Sequence, residues 1–259
     1  MILAIDIGNT NIVMGGLVDG KQVFSSRFAS DRNKTEDEYA LMIQGILSMH
    51  HVDPSEIEGG ILSSVVPYLR TVVPRAVYLL TGKQLLVVGS GLKTGLNIRM
   101  DNPASVGSDL IVDAVAALAK FPPPLVIFDM GTATTMSVID ARGDYVGGMI
   151  IPGLRVSMDA LSARAAQLPY INFAAPDKLI GTNTVDCMQS GAVYGCAAMM
   201  DGLIDRVEDE LGQKVTCVLT GGLGKVVGPH CRREIHIIPD LLIDGLKVLY
   251  EKNQPKRKK

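Results

Sequence analysis

The first 28 residues alternate between short apolar runs and turn residues, which is typical of consecutive β-strands. This pattern predicts three strands, at about 2–6, 11–18 and 22–28. The segment "VDGK" at 18–21 carries an Asp-Gly pair, which favours a tight hairpin because both residues tolerate positive φ. The chain is therefore predicted to begin with three antiparallel strands.

Helical periodicity follows from Thr35, where Thr35 and Glu38 form a capping-box pattern and apolar residues recur every three to four positions. This predicts a helix over about 35–50. The remaining elements of the first half are predicted in this order: a strand in "GGILSSVVP" (59–67), a helix at 68–80, a strand in "LLVVG" (85–89) and a helix at 104–120. The first half thus has the order βββαβαβα.

A proline-rich segment at 121–124 interrupts the pattern, and the same order then restarts. The predicted elements are strands in "LVIFDMG" (125–131), "TTMSVID" (134–140) and "DYVGGMIIPG" (144–153), helices at 153–164 and 183–211, a strand at 215–220, a short helix, a strand at 235–238 and a helix at 241–251. The second half repeats the first with one additional helix.

The repeat is also visible in the residues themselves. The segment "LAIDIGNTNIVMGG" aligns with "VIFDMGTATTMSVI", which matches Asp6 with Asp129 and Gly8 with Gly131. Antiparallel strands extended by parallel strands form a mixed sheet covered by helices. We therefore predict an α/β protein with two duplicated ribonuclease-H-like (actin-like ATPase) domains and an interdomain cleft. The domains are expected at 1–120 and 121–253, and a basic tail at 254–259 is expected to be disordered.

Composition narrows the classes of partner. The 259 residues carry a formal net charge of −2, so we expect no nucleic-acid partner. No apolar run approaches the length of a membrane span, and the initial apolar run ends at Asp6 without a preceding basic region, so we expect neither a membrane partner nor a signal peptide. The four cysteines lack CxxC spacing and the four histidines lack zinc-ligand spacing. A cytoplasmic protein with buried thiols and no transition-metal site is predicted.

The two Asp-x-Gly turns are candidates for phosphate binding. Gly8 allows a close approach of the backbone to an anion, and residues 9–11 add polar donors beside consecutive backbone N–H groups. A single Asp-x-Gly turn is more often an ordinary strand end, but two matched copies favour a nucleotide site. Because Asp6 and Asp129 would repel phosphate, we expect both to act through a cation or its waters.

Two further segments allow a structural and a functional interpretation. The loop "LTGGLGK" (219–225) is either a tight strand-to-helix connection or a surface for adenosine. The helix at 183–211 has Gly191 and Gly195 one turn apart, which permits close packing either against its own sheet or across a homodimer seam.

Asp109 lies in the first predicted turn of a helix, after Gly107 and Ser108. An acid at this position commonly complements the helix dipole. Alternatively, its carboxylate could orient and deprotonate an attacking hydroxyl, since phosphoryl transfer needs mainly positioning and charge neutralisation. Asp113, one turn later, is expected to continue a polar edge.

The chain, apart from its basic tail, resembles the type III pantothenate kinases of the acetate and sugar kinase/Hsp70/actin superfamily. The resemblance is carried, in chain order, by "DIGNTN", "KTEDEYA", "SSVVP", "KTGLNI", "DNP", "VGSD", "DMGTATT", "YVGGMIIPG", "RAAQLP", "IGTNTVDCMQSG" and "TGGLG". It implies ATP-dependent phosphorylation of pantothenate to 4′-phosphopantothenate, the first step of coenzyme A biosynthesis. It also implies a homodimer, Mg²⁺ with ATP, and a monovalent cation, K⁺ or NH₄⁺.

The resemblance also implies roles for individual residues. Asp109 would be the general base, Asp129 would ligate the monovalent cation, and Thr132 would contact ATP. The phosphate loop would comprise Asp6, Ile7, Gly8, Asn9, Thr10, Asn11, Ile12 and Val13. The pantothenate site would comprise Met100, Gly107, Ser108, Asp109, Leu110 and Thr184, with Thr184 reaching across the dimer seam.

Two positions depart from the family pattern. Where the family usually has Gly-Ala-Asp-Arg, this chain has the sequence "GSDL", ending at Leu110, and Met100 replaces a usual tyrosine. Loss of a hydrogen bond to a charged group costs about 1.5–3 kcal/mol. Arg99 could compensate only if its strand parity allowed it. The alternatives to a pantothenate kinase are therefore a nucleotide-binding regulatory pseudo-kinase of the same fold and a kinase for a different small hydroxy compound.

Overall fold

The computed structural model describes residues 1–254. Apart from Gln254, the predicted basic tail lies outside the described residues. The chain forms two compact domains of similar construction. The first domain contains Met1–Gly95, Asn102–Ala119 and the described residues from Leu242 onward, and the second contains Leu96–Asp101 and Lys120–Leu241.

The first domain is a five-stranded mixed sheet covered by helices. Its elements are β1 (Ile2–Ile7), β2 (Asn11–Val18), β3 (Lys21–Ala29), α1 (Glu36–Met49), β4 (Gly59–Ser64), α2 (Leu69–Thr81), β5 (Leu85–Val87) and α3 (Ser108–Lys120). The strand order is β3-β2-β1-β4-β5. The pairs β1–β2 and β2–β3 are antiparallel, whereas β4 is parallel to both β1 and β5.

The second domain repeats this arrangement. Its elements are β6 (Leu125–Met130), β7 (Ala133–Ile139), β8 (Tyr145–Pro152), α4 (Leu154–Arg164), α5 (Thr184–Leu211), β9 (Thr216–Thr220), α6 (Gly224–Val227) and β10 (His236–Ile237), and α7 (Leu241–Asn253) follows them. The strand order β10-β9-β6-β7-β8 has the same pattern of antiparallel and parallel neighbours. The predicted α/β class and the duplicated strand and helix order are confirmed.

Local signals account for the well-predicted elements. At the start of α1, Thr35 N donates to Glu38 Oε2 at 2.8 Å and Glu38 N donates to Thr35 Oγ1 at 3.4 Å, so the predicted capping box is formed. Helix α1 then buries Tyr39, Ile43 and Leu47 in the core of the first domain. Full burial of such a side chain contributes about 1.5–3 kcal/mol.

The helix carrying Asp109 begins later than predicted. A separate 3-10 turn occupies Pro103–Ser105, and α3 starts at Ser108 rather than at 104. Proline fixes φ for such a turn and Asn102 O accepts the N–H of Ser105 at 3.1 Å, so this segment closes on itself before the helix begins.

Helix α7 packs in the first domain, although it follows the second in sequence and was expected there. A Cβ atom at Gly245 would lie 2.2 Å from the carbonyl oxygen of Val112, so α7 runs directly against α3. Leu246 and Leu249 are fully buried. An amphipathic helix packs wherever its apolar stripe finds a complementary surface, and here that surface belongs to the first half of the chain.

Two further predictions, one on membrane spans and one on the burial of the cysteines, can be compared with the structure. In the described range 1–254, no helix is long and apolar enough to cross a membrane. The thiols of Cys196 and Cys217 are buried, and burial raises the pKa of each to about 11. Cys187 is exposed, however, so the prediction that every cysteine is buried is wrong for this residue, which lies on a surface turn of α5.

Candidate active site

The first Asp-x-Gly turn continues into a compact three-residue loop, residues 8–10, between β1 and β2. Gly8 N donates to Asn11 O at 2.9 Å, which closes the loop. A Cβ atom at Gly8 would lie only 3.2 Å from that same oxygen, so glycine suits the close approach. The loop is formed without a helix N-terminus.

The segment after β3 supports this loop from outside. Ser30 Oγ donates to Gly8 O at 2.7 Å, and Ser30 N donates to Thr10 O at 3.0 Å. Arg32 Nη2 donates to Asn9 Oδ1 at 3.0 Å. Asn9 and Thr10 are exposed at the tip of the loop, where their polar groups can meet a ligand. Ser30 and Arg32 were not among the predicted site residues, because neither their spacing nor their residue type indicates the contact.

Asp6 lies at the carboxyl end of β1 and is 8% exposed. In the parallel ladder of β1 and β4, Asp6 is paired with Ser63. Paired residues of neighbouring strands project to the same face of a sheet. Ligand sites of open α/β sheets form at the carboxyl ends of parallel strands, and Asp6 and Ser63 both lie at such an end.

The start of α3 is joined to this edge of the sheet. Ser108 Oγ lies 3.0 Å from Ser63 Oγ. Asp109, which is predicted to be the general base, is the next residue in the chain. It therefore directly follows Ser108, the residue that contacts β4 beside Asp6. The structure thus links Asp6 to the start of α3, which carries Ser108 and Asp109, through the contact between Ser63 and Ser108.

Asp109 is half-buried, and this burial raises the pKa of its carboxyl above the ordinary value. The hydrogen bond from Leu110 N to Asp109 Oδ1, at 2.9 Å, acts in the opposite direction but is the weaker effect. A carboxylate whose pKa lies nearer to the working pH is a better proton acceptor. Burial of Asp109 is therefore compatible with proton transfer, the role considered below.

Asp113 does not continue a polar edge as expected. It is 1% exposed, and Val112 beside it is fully buried. Residues 112–117 of α3 are all buried, and at 100° per residue they cover more than a full turn, so this part of the helix is enclosed on every side and Asp113 is buried with it.

In the second domain, Asp129 lies near the end of β6, paired in register with Thr220 of β9. Gly221 follows Thr220 with φ of +91°, and a Cβ atom there would lie 2.6 Å from Asp129 Oδ1. The "TGGLG" loop therefore packs directly against the Asp129 carboxylate. This contact is a close approach of the Gly221 backbone to the end of β6.

The second Asp-x-Gly loop is also tightly packed, but it is one residue shorter than the first. Gly131 N donates to Ala133 O at 3.1 Å, where the first loop spans from Gly8 to Asn11. A Cβ atom at Gly153 would lie 2.1 Å from Thr132 O, so the start of α4 closes on this loop. Thr132 itself is exposed.

Asp129 offers carboxylate oxygen atoms, which are the ligand type that hard cations such as K⁺ and Mg²⁺ take. Within residues 1–254 no three His, Cys, Asp or Glu side chains converge as a metal-binding group. The residues present fit a cation held by one carboxylate and other oxygen donors, rather than a carboxylate cage.

The segment that carries Met100 runs beside the start of β8. Arg99 N donates to Tyr145 O at 2.8 Å, and the guanidinium of Arg99 lies 3.4 Å from Asp144 Oδ2. Arg99 is exposed whereas Met100 is half-buried, as expected for adjacent residues of an extended chain. Arg99 and Met100 therefore lie on opposite sides of this segment. The side chain of Arg99 does not take the place of the tyrosine that the family usually has at position 100.

Thr184, the first residue of α5, lines a groove of about 750 Å³ in the second domain. The groove combines apolar side chains of α4, such as Met158 and Leu161, with the polar segment at 182–184. Gly191 also lines it, so the small residues of α5 face an open surface rather than only their own sheet. Nearby, Ile180 is 81% exposed.

The duplicated sheets and the paired Asp-x-Gly loops define the class as the two-domain fold of actin-like ATPases and kinases. Solved structures with this fold include the activator of 2-hydroxyisocaproyl-CoA dehydratase from Clostridium difficile with bound ADPNP, with a TM-score of 0.55 and 13% identity over 100% of this chain and 99% of that chain. Component A of (R)-2-hydroxyglutaryl-CoA dehydratase from Acidaminococcus fermentans has a TM-score of 0.55 and 17% identity, covering 96% of each chain. These likenesses show the fold.

Sequence comparison gives the family. The model of the type III pantothenate kinase family matches residues 2–206. The type III pantothenate kinase of Moorella thermoacetica is 44% identical over 253 residues, covering 98% of this chain and 100% of the relative. That of Exiguobacterium sibiricum is 42% identical over 254 residues, with coverage of 98% and 100%. The chain belongs to the type III pantothenate kinase family.

Proposed function

We propose that the chain transfers the γ-phosphoryl group of ATP to the hydroxyl group of pantothenate. The products are ADP and 4′-phosphopantothenate, and the reaction is the first step of coenzyme A biosynthesis. Family membership over nearly the whole chain supports the substrates. The observation that carries the chemistry is the half-buried Asp109, whose pKa is raised by burial and which is joined through Ser108 to the strand beside Asp6.

In this mechanism, Asp109 accepts the proton of the attacking hydroxyl as the new O–P bond forms and the bond to the β-phosphate oxygen breaks. Backbone N–H groups and polar side chains of the phosphate loop, residues 6–13, hold the phosphates of ATP. Asp6 acts through a cation or its waters, since its own charge would repel phosphate. Phosphoryl transfer depends mainly on positioning and charge neutralisation, and these residues supply both.

Two cations are part of the proposal. Mg²⁺ bound to ATP would neutralise the developing charge on the phosphates. Asp129 would ligate a monovalent cation, K⁺ or NH₄⁺, and Thr132 would contact ATP. The oxygen atoms of the Asp129 carboxylate, against which Gly221 packs, are of the ligand type that such a cation takes.

The acceptor pocket is proposed to include Met100, Gly107, Ser108, Leu110 and Thr184 beside Asp109. Leu110 is half-buried and directly follows the base, and a hydrocarbon side chain cannot donate a hydrogen bond to a carboxylate. The guanidinium of Arg99, the residue before Met100, is already held in an ion pair with Asp144. These two observations favour a second candidate function: a kinase for a small hydroxy compound that lacks the carboxylate of pantothenate.

We further propose that the chain works as a homodimer through the groove surface of the second domain. This surface is defined by Leu161, which lines the groove, and by four exposed apolar residues that lie within two positions of lining residues in sequence: Tyr170, Leu179, Ile180 and Val185. Each of these side chains is exposed by at least 41%. Exposed apolar side chains gathered on one surface usually mark an interaction site. Thr184 lies on this same surface, so a dimer formed here would place it at a seam between subunits.

A panel of acceptors tests the proposal. The purified chain is supplied with ATP, Mg²⁺ and K⁺, and ADP formation is measured with pantothenate, with pantetheine and with related alcohols lacking a carboxylate. Turnover that is highest with pantothenate supports the proposed function, whereas preference for an acceptor without a carboxylate supports the second candidate. Nucleotide binding without turnover of any acceptor would indicate a regulatory pseudo-kinase.

Variants at the two departing positions sharpen this test. Leu110→Arg and Met100→Tyr return the side chains usual in the family. If the wild-type pocket is weakened toward pantothenate, the double variant lowers its KM by about 10-fold or more, the value expected from one charge-assisted hydrogen bond. Unchanged or impaired kinetics would mean that the pocket recognises its acceptor without these contacts.

A further inference from the structure

The start of α3 is fixed to the end of β4 by the hydroxyl group of Ser108. Ser64 N donates to Ser108 Oγ at 3.2 Å, and Ser108 Oγ donates to Ser64 O at 3.1 Å. The single hydroxyl proton of Ser108 is used in the second bond, so the contact of 3.0 Å between the hydroxyl oxygens of Ser63 and Ser108 takes its proton from Ser63. Ser108 thus makes three hydrogen bonds to two consecutive residues of one strand.

These groups lie where water cannot readily replace a lost partner. Ser63 is 0% exposed and Ser64 is 8% exposed. A buried polar group that loses its partner retains the cost of its desolvation, so removal of one hydroxyl leaves several groups unsatisfied. The network therefore gives the first turn of α3 a defined place against β4.

The carboxylate of Asp109 moves with this turn. Asp109 Oδ1 accepts the N–H of Leu110 at 2.9 Å, a bond that lies within the first turn of the helix. Ser63, at the other end of the network, is the register neighbour of Asp6. Ser108 consequently couples the helix that carries the base to the strand that lies beside the start of the phosphate loop.

We infer that Ser108 is a positioning residue: its hydroxyl sets the place of Asp109 relative to β4. Because the three hydrogen bonds to Ser63 and Ser64 use the whole capacity of this hydroxyl, Ser108 contributes to the proposed acceptor pocket through its backbone alone. This inference rests on the proposed function, in which Asp109 receives the proton of the acceptor hydroxyl. Misplacement of a reacting group by about 1 Å can reduce a rate by about 100-fold. Loss of the Ser108 hydroxyl should therefore slow phosphoryl transfer while leaving substrate affinity unchanged.

The test uses the full chain with Ser108→Ala, Ser63→Ala and the double variant. Ser105→Ala is the matched control, because its exposed hydroxyl lies on the same lead-in segment but donates to Asn102 O at 2.7 Å. The single-turnover rate of phosphoryl transfer and the KM values for ATP and pantothenate are measured for each. Thermal unfolding identifies any variant that fails to fold.

Ser108→Ala is expected to slow phosphoryl transfer by about 10-fold or more, with both KM values within about twofold of wild type. Ser63→Ala is expected to cause a smaller loss, and the double variant should match Ser108→Ala, since Ser63 acts on Asp109 through Ser108. Ser105→Ala should match wild type. A raised KM for pantothenate with an unchanged rate would overturn the inference and make Ser108 a substrate contact, and multiplying losses in the double variant would also overturn it.

Hydrogen exchange separates this inference from the proposed function. If the wild-type chain phosphorylates no acceptor, the proposed function fails, but exchange of the backbone amides at 108–111 can still be measured. Faster exchange in Ser108→Ala than in wild type and Ser105→Ala supports the positioning of this turn by Ser108. Equal exchange in all three proteins would show that the hydroxyl does not hold the turn, and the inference would be wrong.

Discussion

Gly221 is packed against the carboxylate of Asp129 so closely that a Cβ atom at Gly221 would lie 2.6 Å from Asp129 Oδ1. The same atom would lie 2.5 Å from the backbone nitrogen of Met130, and Gly221 has φ of +91°. Both the backbone conformation and the absence of a side chain are thus required at this position. The contact joins the "TGGLG" loop to the carboxylate that is proposed to ligate a monovalent cation.

Gly221→Ala is therefore expected to destabilise the protein by about 2–5 kcal/mol, combining the cost of a left-handed backbone with overpacking. Activation by K⁺ should weaken as well, because the Asp129 carboxylate must shift. The matched control is Gly212→Ala: Gly212 has φ of +66° at the end of α5, and an added Cβ would meet nothing within 4 Å. The control should lose about 1–2 kcal/mol without any change in K⁺ activation. Equal effects of the two variants would contradict the account.

Asp109→Asn is expected to stabilise the fold at neutral pH while abolishing activity. Burial raises the pKa of Asp109 in the folded protein, so the ionised form is disfavoured there relative to the unfolded chain. The contribution of Asp109 to wild-type stability is therefore fully present below the pKa that its carboxyl has in the unfolded chain. It is lost as the pH rises through the higher pKa of the same carboxyl in the folded protein. The melting temperature of the variant should exceed that of wild type at pH 7, and the difference should shrink as pH falls toward 4.

Asp37→Asn is a control for this prediction. Asp37 is an exposed acid in the first turn of α1, where the charge only complements the helix dipole. Its removal should lower stability by about 0.3–1 kcal/mol and leave the reaction rate unchanged. A lower melting temperature for Asp109→Asn at pH 7 would mean that Asp109 serves as a helix cap, against the role proposed for it.

Glu208 is expected to stabilise the second domain through its ion pairs. It is 7% exposed, and its carboxylate pairs with Lys214 at 2.6 Å and with Arg233, and it accepts the N–H of Val215 at 3.2 Å. Burial acts to raise the pKa of Glu208, but the bonds from Lys214, Arg233 and Val215 together outweigh it, so its pKa lies below the ordinary value. Glu208→Gln should cost about 1–3 kcal/mol at pH 7.

The pH dependence of this effect has a defined sign. Since the folded pKa of Glu208 is lowered, its stabilisation is present above the unfolded pKa and is lost as pH falls through the folded pKa. Asp205→Asn is the matched control: Asp205 pairs with the same Arg233 at 2.7 Å, but its side chain is 60% exposed. Urea unfolding should give a cost below about 1 kcal/mol for this control. A cost as large as that of Glu208→Gln would show that exposure does not decide the strength of these pairs.

The groove surface predicts the oligomeric state. Ile180→Asp places a charge on a side chain that is 81% exposed, so it should shift a dimer toward monomer in light scattering at micromolar concentration. Leu41→Asp is the control, because Leu41 is 69% exposed on α1 of the first domain, outside the groove surface. It should leave the dimer intact. A monomeric wild-type chain, or a dimer unaffected by Ile180→Asp, would exclude this surface as the seam.

The fold could be predicted from sequence because its signals are local. Alternating apolar runs gave the strands, and the capping box at Thr35 and Glu38 gave the start of α1 within one residue. The placement of α7 could not be predicted in this way. Its apolar stripe indicates a buried face but not which surface covers it, and the close contact of Gly245 with Val112 joins residues that are far apart in sequence.

Candidate site residues could be selected from sequence where they lie in or beside glycine-containing turns. Asp6, Gly8, Asp129 and Asp109 were identified because residue type and position at strand or helix ends limit what such residues do. Ser63 was not identified, although "SSVVP" contains it. Its role depends on a hydrogen bond to a residue 45 positions later, and separations of that size leave no periodic trace in the sequence.

The most direct test of the account is whether the purified chain forms 4′-phosphopantothenate from pantothenate in the presence of ATP, Mg²⁺ and K⁺. The product is detected by mass spectrometry. We predict one phosphorylated product for each ADP formed by wild type, and a loss of about 100-fold or more in Asp109→Asn with ATP affinity retained, as expected for removal of a general base. Absence of the phosphorylated product in wild type, or undiminished turnover in Asp109→Asn, would contradict the account.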